Sequence, residues 1–253
     1  MEAVAQQSVN HYIIGKTRIL MIQRVLFVVC FLLMTTTAQA SGGEFTVHSE
    51  GALRSVHHGD FSGQVPLAQF SGRDNIFAVG PVAGLDGEVT AIDGEFHIAR
   101  VRDGEIKTDA DLSSEAAFLV WAEVNGWQPS IPLGENVRNH SQLEKVVEEL
   151  ATEAGADTTK PFPFLIEGAI ESVEYHILAP PEHGGGADHK ESAVNIKATD
   201  VDARIIGFFS RNHEGVFTHR GSYAHLHLVE DGGKSGHVDD LSVSADTHIR
   251  FPE

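Results

Sequence analysis

The sequence predicts a β-rich α+β protein with mainly antiparallel pairing, and three observations predict it. Short apolar runs between Phe45 and Ile106 are cut by Gly and Asp, the stretch after Pro161 alternates apolar and polar residues, and only two central segments carry helical patterns. In order, "FSGQVPLAQF", "NIFAVGPVAG" and "GEVTAIDGEFHIARV" read as strands, with Asp93-Gly94 as a hairpin turn. "SSEAAFLVWAEVNG" (113–126) is expected to be a helix ending near Asn125-Gly126. "SQLEKVVEELATEAG" (141–155) is expected to be a second, opened by a capping box of Ser141 and Glu144. Its Leu143, Val146, Val147 and Leu150 share one face while Lys145, Glu148 and Glu149 face elsewhere, so those carboxylates read as a solvated surface. "FPFLIEGAIESVEYHIL" returns to strand periodicity, and "PPEHGGGADHKES" reads as a loop. "ARIIGFFS", "GVFTHRG" with "SYAHLHLV", and "SGHVDDLSVSA" close the chain as strands. No fixed-period repeat occurs, and the length after the leader suits one compact unit or two small fused lobes.

The first forty residues fall outside this pattern. "MIQRVLFVVCFLLMTTTAQA" (21–40) has Arg24, an apolar run from Val25 to Met34, and Ala38-Gln39-Ala40. That is the layout of a secretory signal preceded by an N-terminal extension, with cleavage expected after Ala40 and a periplasmic or secreted domain over 41–253. A retained anchor is the alternative, disfavoured because the run is short for a membrane span. The one cysteine, Cys30, lies in the leader, so the exported part has no disulfide, thiolate ligand or cysteine nucleophile. Formal charge is −18, and loss of Lys16, Arg18, Arg24 and Glu2 takes it to −20. So acidic a chain argues against nucleic acid and against anionic membranes as partners. The charge is compatible with a cation and gives no help in attracting an anionic substrate; a small-molecule substrate and a homodimer are the partners expected. No GxSxG elbow and no phosphate loop is present.

The chemistry-bearing cluster lies near the end. In "SYAHLHLVEDGGKSGHVDD" (222–240), His225 and His227 stand two positions apart, so on a strand both project from one face while Leu226 and Leu228 face the other way. The "VEDGGKSG" turn brings His237 back beside them. Three neutral imidazoles with an open fourth position form the ligand set of a catalytic zinc site, with Zn–N distances of about 2.0–2.1 Å. Chance alternation on a polar strand face is the alternative. Imidazoles also accept copper, nickel or iron. His183 and His189 flank a glycine-rich loop that fixes no geometry, and His57, His58, His213, His219 and His248 acquire no role from spacing.

"HHGDFSGQV" (57–65), "GLDGEVTAIDGEFHIARV" (84–101), "ARIIGFFS" (203–210), "HLH" and "SGHVDDL" occur in an order that resembles the α-acetolactate decarboxylase family. The resemblance runs from about His57 to Leu241; the histidine set and "LDGE" are its most specific parts. It implies two fused sheet-containing lobes, about 41–160 and 161–253, with zinc held in the cleft between them by His225, His227 and His237. It implies the conversion of 2-acetolactate to acetoin and carbon dioxide, with Glu88 handling protons. The family's substrate-facing arginine falls at His176 here, which makes His176 the second candidate catalytic residue. An imidazole cannot copy the guanidinium fork. Arg204 and Arg211 are candidate replacements for that charge. His227 and His237 stand one residue closer than the family pattern, and the family's C-terminal glutamate has only Glu253 as a counterpart. The alternative is an exported zinc-binding relative with a different hydroxy-keto substrate, or one that binds a ligand without turning it over.

Overall fold

A computed structural model of the chain describes residues 45–180 and 193–253. The proposed leader and cleavage site, and His183 and His189, lie outside the described residues.

Two six-stranded sheets dominate. The first contains β1 (Val47–Glu50), β3 (Ile76–Pro81), β4 (Glu88–Ile92), β5 (Glu95–Arg102), β6 (Glu105–Asp109) and β8 (Leu119–Glu123), in the order β1-β8-β3-β4-β5-β6 and antiparallel throughout. A two-stranded sheet of β2 (Val65–Pro66) and β7 (Glu115–Ala116) flanks it. The β4–β5 hairpin turns at Asp93-Gly94 with φ of 55° and 77°, the doubly left-handed turn whose twist matches antiparallel strands.

The second sheet contains β9 (Ile131–Pro132), β10 (Phe162–Ile177), β11 (Val194–Phe209), β12 (Ala224–Glu230), β13 (Ser235–Ser242) and β14 (His248–Arg250). Its central strands close on themselves. β10 pairs with β11 along its whole length, β11 with β12, β12 with β13, and β13 returns to β10 at Ser172–His176. The free part of the β10 edge is taken by β14. Closure crowds the interior: a Cβ on Gly207 would lie 2.2 Å from Phe164 Cζ and 2.7 Å from Leu226 Cδ2. At Gly236 a Cβ would lie 2.7 Å from the His176 carbonyl, so glycine there lets β13 draw close to β10.

Helix α1 (Leu53–His57) is a single turn, and α2 (His140–Glu153) packs Leu143, Val146, Val147 and Ala151 into the core of the second sheet. The leucine and the two valines each contribute roughly 1.5–3 kcal/mol of burial energy, an upper figure. Among the described residues no helix is long and apolar enough to cross a membrane.

Four sequence expectations fail here. Of "FSGQVPLAQF" only Val65–Pro66 pairs as a strand, and Leu67–Phe70 coil into a 3-10 turn. The segment 113–126 is not a helix but supplies β7 and β8. Leu119, Val120 and Ala122 are fully buried because core packs on both faces of the first sheet: Val120 and Ala122 on one side, Leu119 on the other. A strand buried on both faces is apolar without alternation, and composition cannot tell it from a helix. "GVFTHRG" is a loop, in which the backbone N–H groups of Val216, Phe217 and Thr218 all point at the His213 carbonyl. The capping box does not form. Asn139 is the N-cap, its side chain accepting from the Gln142 N–H, while Glu144 is buried and turns inward.

Candidate metal centre between the two sheets

Strand alternation sends Leu226 and Leu228 into the core of the second sheet and His225 and His227 to the opposite face. Register places His237 of β13 directly across from His227, and His176 of β10 directly across from His237. On β4, Glu88 and Thr90 share a face and meet this histidine row. The centre therefore lies where β4 of one sheet meets β12 and β13 of the other.

The three expected ligands come together. His225 Nε2 lies 3.0 Å from His237 Nδ1 and 3.2 Å from His227 Nε2. His225, His227 and His237 are 2%, 0% and 7% exposed. Two of the rings are oriented from behind. His225 Nδ1–H donates to the Phe217 carbonyl at 2.8 Å, which leaves its Nε2 lone pair facing the cluster. His227 Nδ1 meets Thr90 Oγ1 at 3.0 Å. Such partners fix tautomer and angle in metal-binding histidines.

Burial is the main reason that His225 is pushed down to about 3, with His219 adding repulsion and the Phe217 carbonyl opposing the shift. His227 and His237 lie well below the ordinary imidazole range, again chiefly through burial and then through neighbouring histidines. The rings are neutral at pH 7 and present lone pairs to one another. A tetrahedral cation with N ligands at about 2.05 Å separates them by about 3.3 Å, so the observed 3.0 and 3.2 Å fit a bound cation. The donor set is all-nitrogen with no thiolate, which suits zinc and does not exclude copper or nickel.

Glu88 is 2% exposed. Its Oε2 lies 3.8 Å from His227 Nε2 and its Oε1 lies 3.9 Å from His176 Nε2. Burial raises its carboxyl to about 8, against the pull of His176 and of the Leu178 N–H, while Asp239 pushes it higher. His176 Nδ1–H donates to Asp239 Oδ2 at 2.7 Å, so the ring turns Nε2 towards Glu88. His176, His237 and Asp239 form a second group of adjacent donors. A cleft of about 50 Å³ opens over the centre, with Glu88, His176, His225 and His237 in its wall and Leu53 and Phe118 as apolar lining.

The two arginines do not supply charge here, since neither lines the cleft. Arg204 faces Glu95 at 3.4 Å, and Arg211 pairs with Glu148 of α2 while its guanidinium lies 4.9 Å from the Tyr223 ring centre. Both were recruited by local carboxylates. Glu253 packs beside Gly126 at a separate cavity. Sequence reasoning overlooked Thr90 and Asp239 and assigned no role to His57 and His219, which line the cleft. Thr90 and Asp239 carried a usable signal, each being two residues from a candidate on its strand. His219 carried none, because a loop placed it. His213, stacked on Phe217 with ring centres 4.9 Å apart, supports the residue whose carbonyl holds His225.

Fold and site together define a two-sheet β-rich protein with a buried three-histidine centre and an adjacent carboxyl. The chain belongs to the alpha-acetolactate decarboxylase family, whose sequence pattern it matches over residues 47–252. The fold is similar to that of alpha-acetolactate decarboxylase from Bacillus subtilis strain 168, at 19% identity and a TM-score of 0.66 over 81% of this chain and 84% of that one. It is also similar to the acetolactate decarboxylase of Bacillus subtilis subspecies spizizenii, at 18% identity and 0.68 over 81% and 85%. A Staphylococcus aureus protein described as of unknown function and similar to alpha-acetolactate decarboxylase matches at 18% and 0.65 over 82% and 84%. No curated protein sequence matches the chain. Family and fold support a decarboxylase-like function.

Proposed function

We propose that this protein is an exported zinc-dependent carboxy-lyase that converts 2-acetolactate to acetoin and carbon dioxide. The observation that carries the reading is the convergence of three neutral, buried imidazole nitrogens with the Glu88 carboxyl 3.8 Å from one of them. His225 Nε2, His227 Nε2 and His237 Nδ1 would hold the ion. When bound, zinc supplies Lewis-acid stabilisation of charge developing on the substrate's ketone oxygen.

The remaining work falls to side chains. Loss of carbon dioxide leaves an electron pair on the former α-carbon, conjugated with the neighbouring ketone. Glu88 delivers its carboxyl proton to that carbon from one side only, which sets the handedness of the product. His176, held by Asp239, keeps its Nε2 beside Glu88 Oε1 and is placed to return a proton to it. Leu53, Phe118 and Leu178 limit water at the reacting atoms. Export rests on the charged, apolar and small-residue succession of residues 21–40.

Incubation of the zinc-loaded protein with racemic acetolactate tests the reading. Acetoin is expected, its formation stops on chelation, and alanine at any of the three ligands removes both metal and activity. A second reading is favoured by one observation: among the described residues of the cleft wall there is no Arg or Lys. That suits a different hydroxy-keto substrate or a ligand that is bound and not turned over. Stoichiometric zinc without acetoin moves the weight there.

A further inference from the structure

Six imidazoles gather at the centre among the described residues, and the ligand triad with His176 accounts for four. His219, in the loop before β12, has its ring centre 5.4 Å from that of His237 and 6.4 Å from that of His225. His57, at the end of α1, lies 5.9 Å from His219. Both line the cleft.

A substrate bearing a carboxylate needs donors as it leaves water, because an unpaired buried charge is costly. Among the described lining residues there is no Arg or Lys, and the N–H side chains they offer are histidines. His176 is a poor host for a carboxylate. Its Nδ1–H is bonded to Asp239 at 2.7 Å and its Nε2 faces the Glu88 carboxyl at 3.9 Å, so an incoming anion there meets the Asp239 carboxylate. His219 sits instead against the rings of His225 and His237, where a bound cation adds attraction, and His57 sits against His219 in the same cleft wall. We infer that His219 and His57 form the carboxylate subsite of this cleft, each giving one N–H to one oxygen of a 2-hydroxy carboxylic acid. The inference rests on the proposed substrate class. Two independently mounted donors, one on a helix and one on a loop, hold an anion less rigidly than a guanidinium fork and tolerate a wider range of acids.

Calorimetric titration of the zinc-loaded protein with 2-hydroxy-2-methylpropanoate, which lacks the ketone needed for decarboxylation, tests this against the neutral amide of the same acid. The wild type is expected to bind the acid more tightly than the amide. His219→Ala and His57→Ala should each weaken acid binding by about 10-fold or more, as expected for a hydrogen bond to a charged group, with zinc content and amide binding unchanged. His219→Asn, which keeps more of the bulk, repeats the measurement should the alanine variant fold poorly. Unchanged acid affinity in the variants overturns the inference, as does a wild type that does not distinguish acid from amide. Zinc loss from the His219 variants overturns it too, since the ring would then serve the metal. Acetoin is not measured, so a wrong reaction assignment and a wrong subsite assignment give different results.

Discussion

Glu144 offers a direct test of how the fold holds its histidine strand. One oxygen, Oε1, accepts from the Tyr223 N–H at 2.6 Å, the Ala224 N–H at 3.0 Å and the Ser222 hydroxyl at 2.6 Å. Those three residues lead into β12 immediately before His225, so a carboxylate on α2 anchors the strand that carries two ligands. Hydrogen bonds to a charged group contribute about 1.5–3 kcal/mol each. Glu144→Ala removes all three and leaves the Tyr223 and Ala224 N–H groups short of partners, although Ser222 Oγ at 3.4 Å gives Ala224 partial relief. The expected loss is about 3–5 kcal/mol, a large share of a typical domain's 5–15 kcal/mol. Glu144→Gln keeps an acceptor oxygen and should lose about 1–2 kcal/mol. With a urea dependence of about 2–3 kcal/mol per molar, the alanine variant's midpoint should fall by about 1–2 M. A fall of less than about 0.3 M, or equal damage from glutamine, would refute the anchoring argument.

Other outcomes follow from the same geometry. Glu88→Gln should keep zinc, since Glu88 is not one of the three ligands, and should slow turnover by about 10²–10⁴-fold; an unchanged rate in a stopped assay removes Glu88 from the proton step. Gly207→Ala forces a Cβ to within 2.2 Å of Phe164 and should cost about 1–3 kcal/mol by urea denaturation, and a neutral result would show that the closed strand ring can relax. In chelator-treated protein the His225 value of about 3 lies below the unfolded imidazole value near 6.5, so the unfolded chain binds more protons in between. Stability attributable to neutral His225 is therefore complete above about pH 6.5 and declines as pH falls towards 3, by on the order of 2 kcal/mol at pH 5. The loss between pH 7 and pH 5 should shrink by that amount in His225→Asn, and an unchanged loss contradicts the assignment.

Much of the centre was legible because it is written in strand periodicity. Two-residue spacing put His225 and His227 on one face, and a glycine-bearing turn returned His237, all within one hairpin. The family resemblance, not spacing, pointed to Glu88. Its counterpart sheet is distant in sequence, and nothing local says that β4 meets β12. The helix expected at 113–126 and the capping-box role expected of Glu144 fail for one reason. Both were read from local propensity, and the fold supplies a second layer instead: another packed core for β8, and the lead-in to β12 for Glu144.

The sequence by itself determined the β-rich class, the strands around the site, the thiol-free acidic composition after the leader and the three-histidine hairpin, because these depend on composition and on residues a few positions apart. Tertiary structure decided the rest: the Phe217 carbonyl and Thr90 that aim the rings, the carboxyl brought to His227, and the arginines drawn away to Glu95 and Glu148. Orientation and desolvation of a buried group are set by whatever packs against it. Here those neighbours come from the other sheet and from loops, at sequence separations that no local pattern encodes.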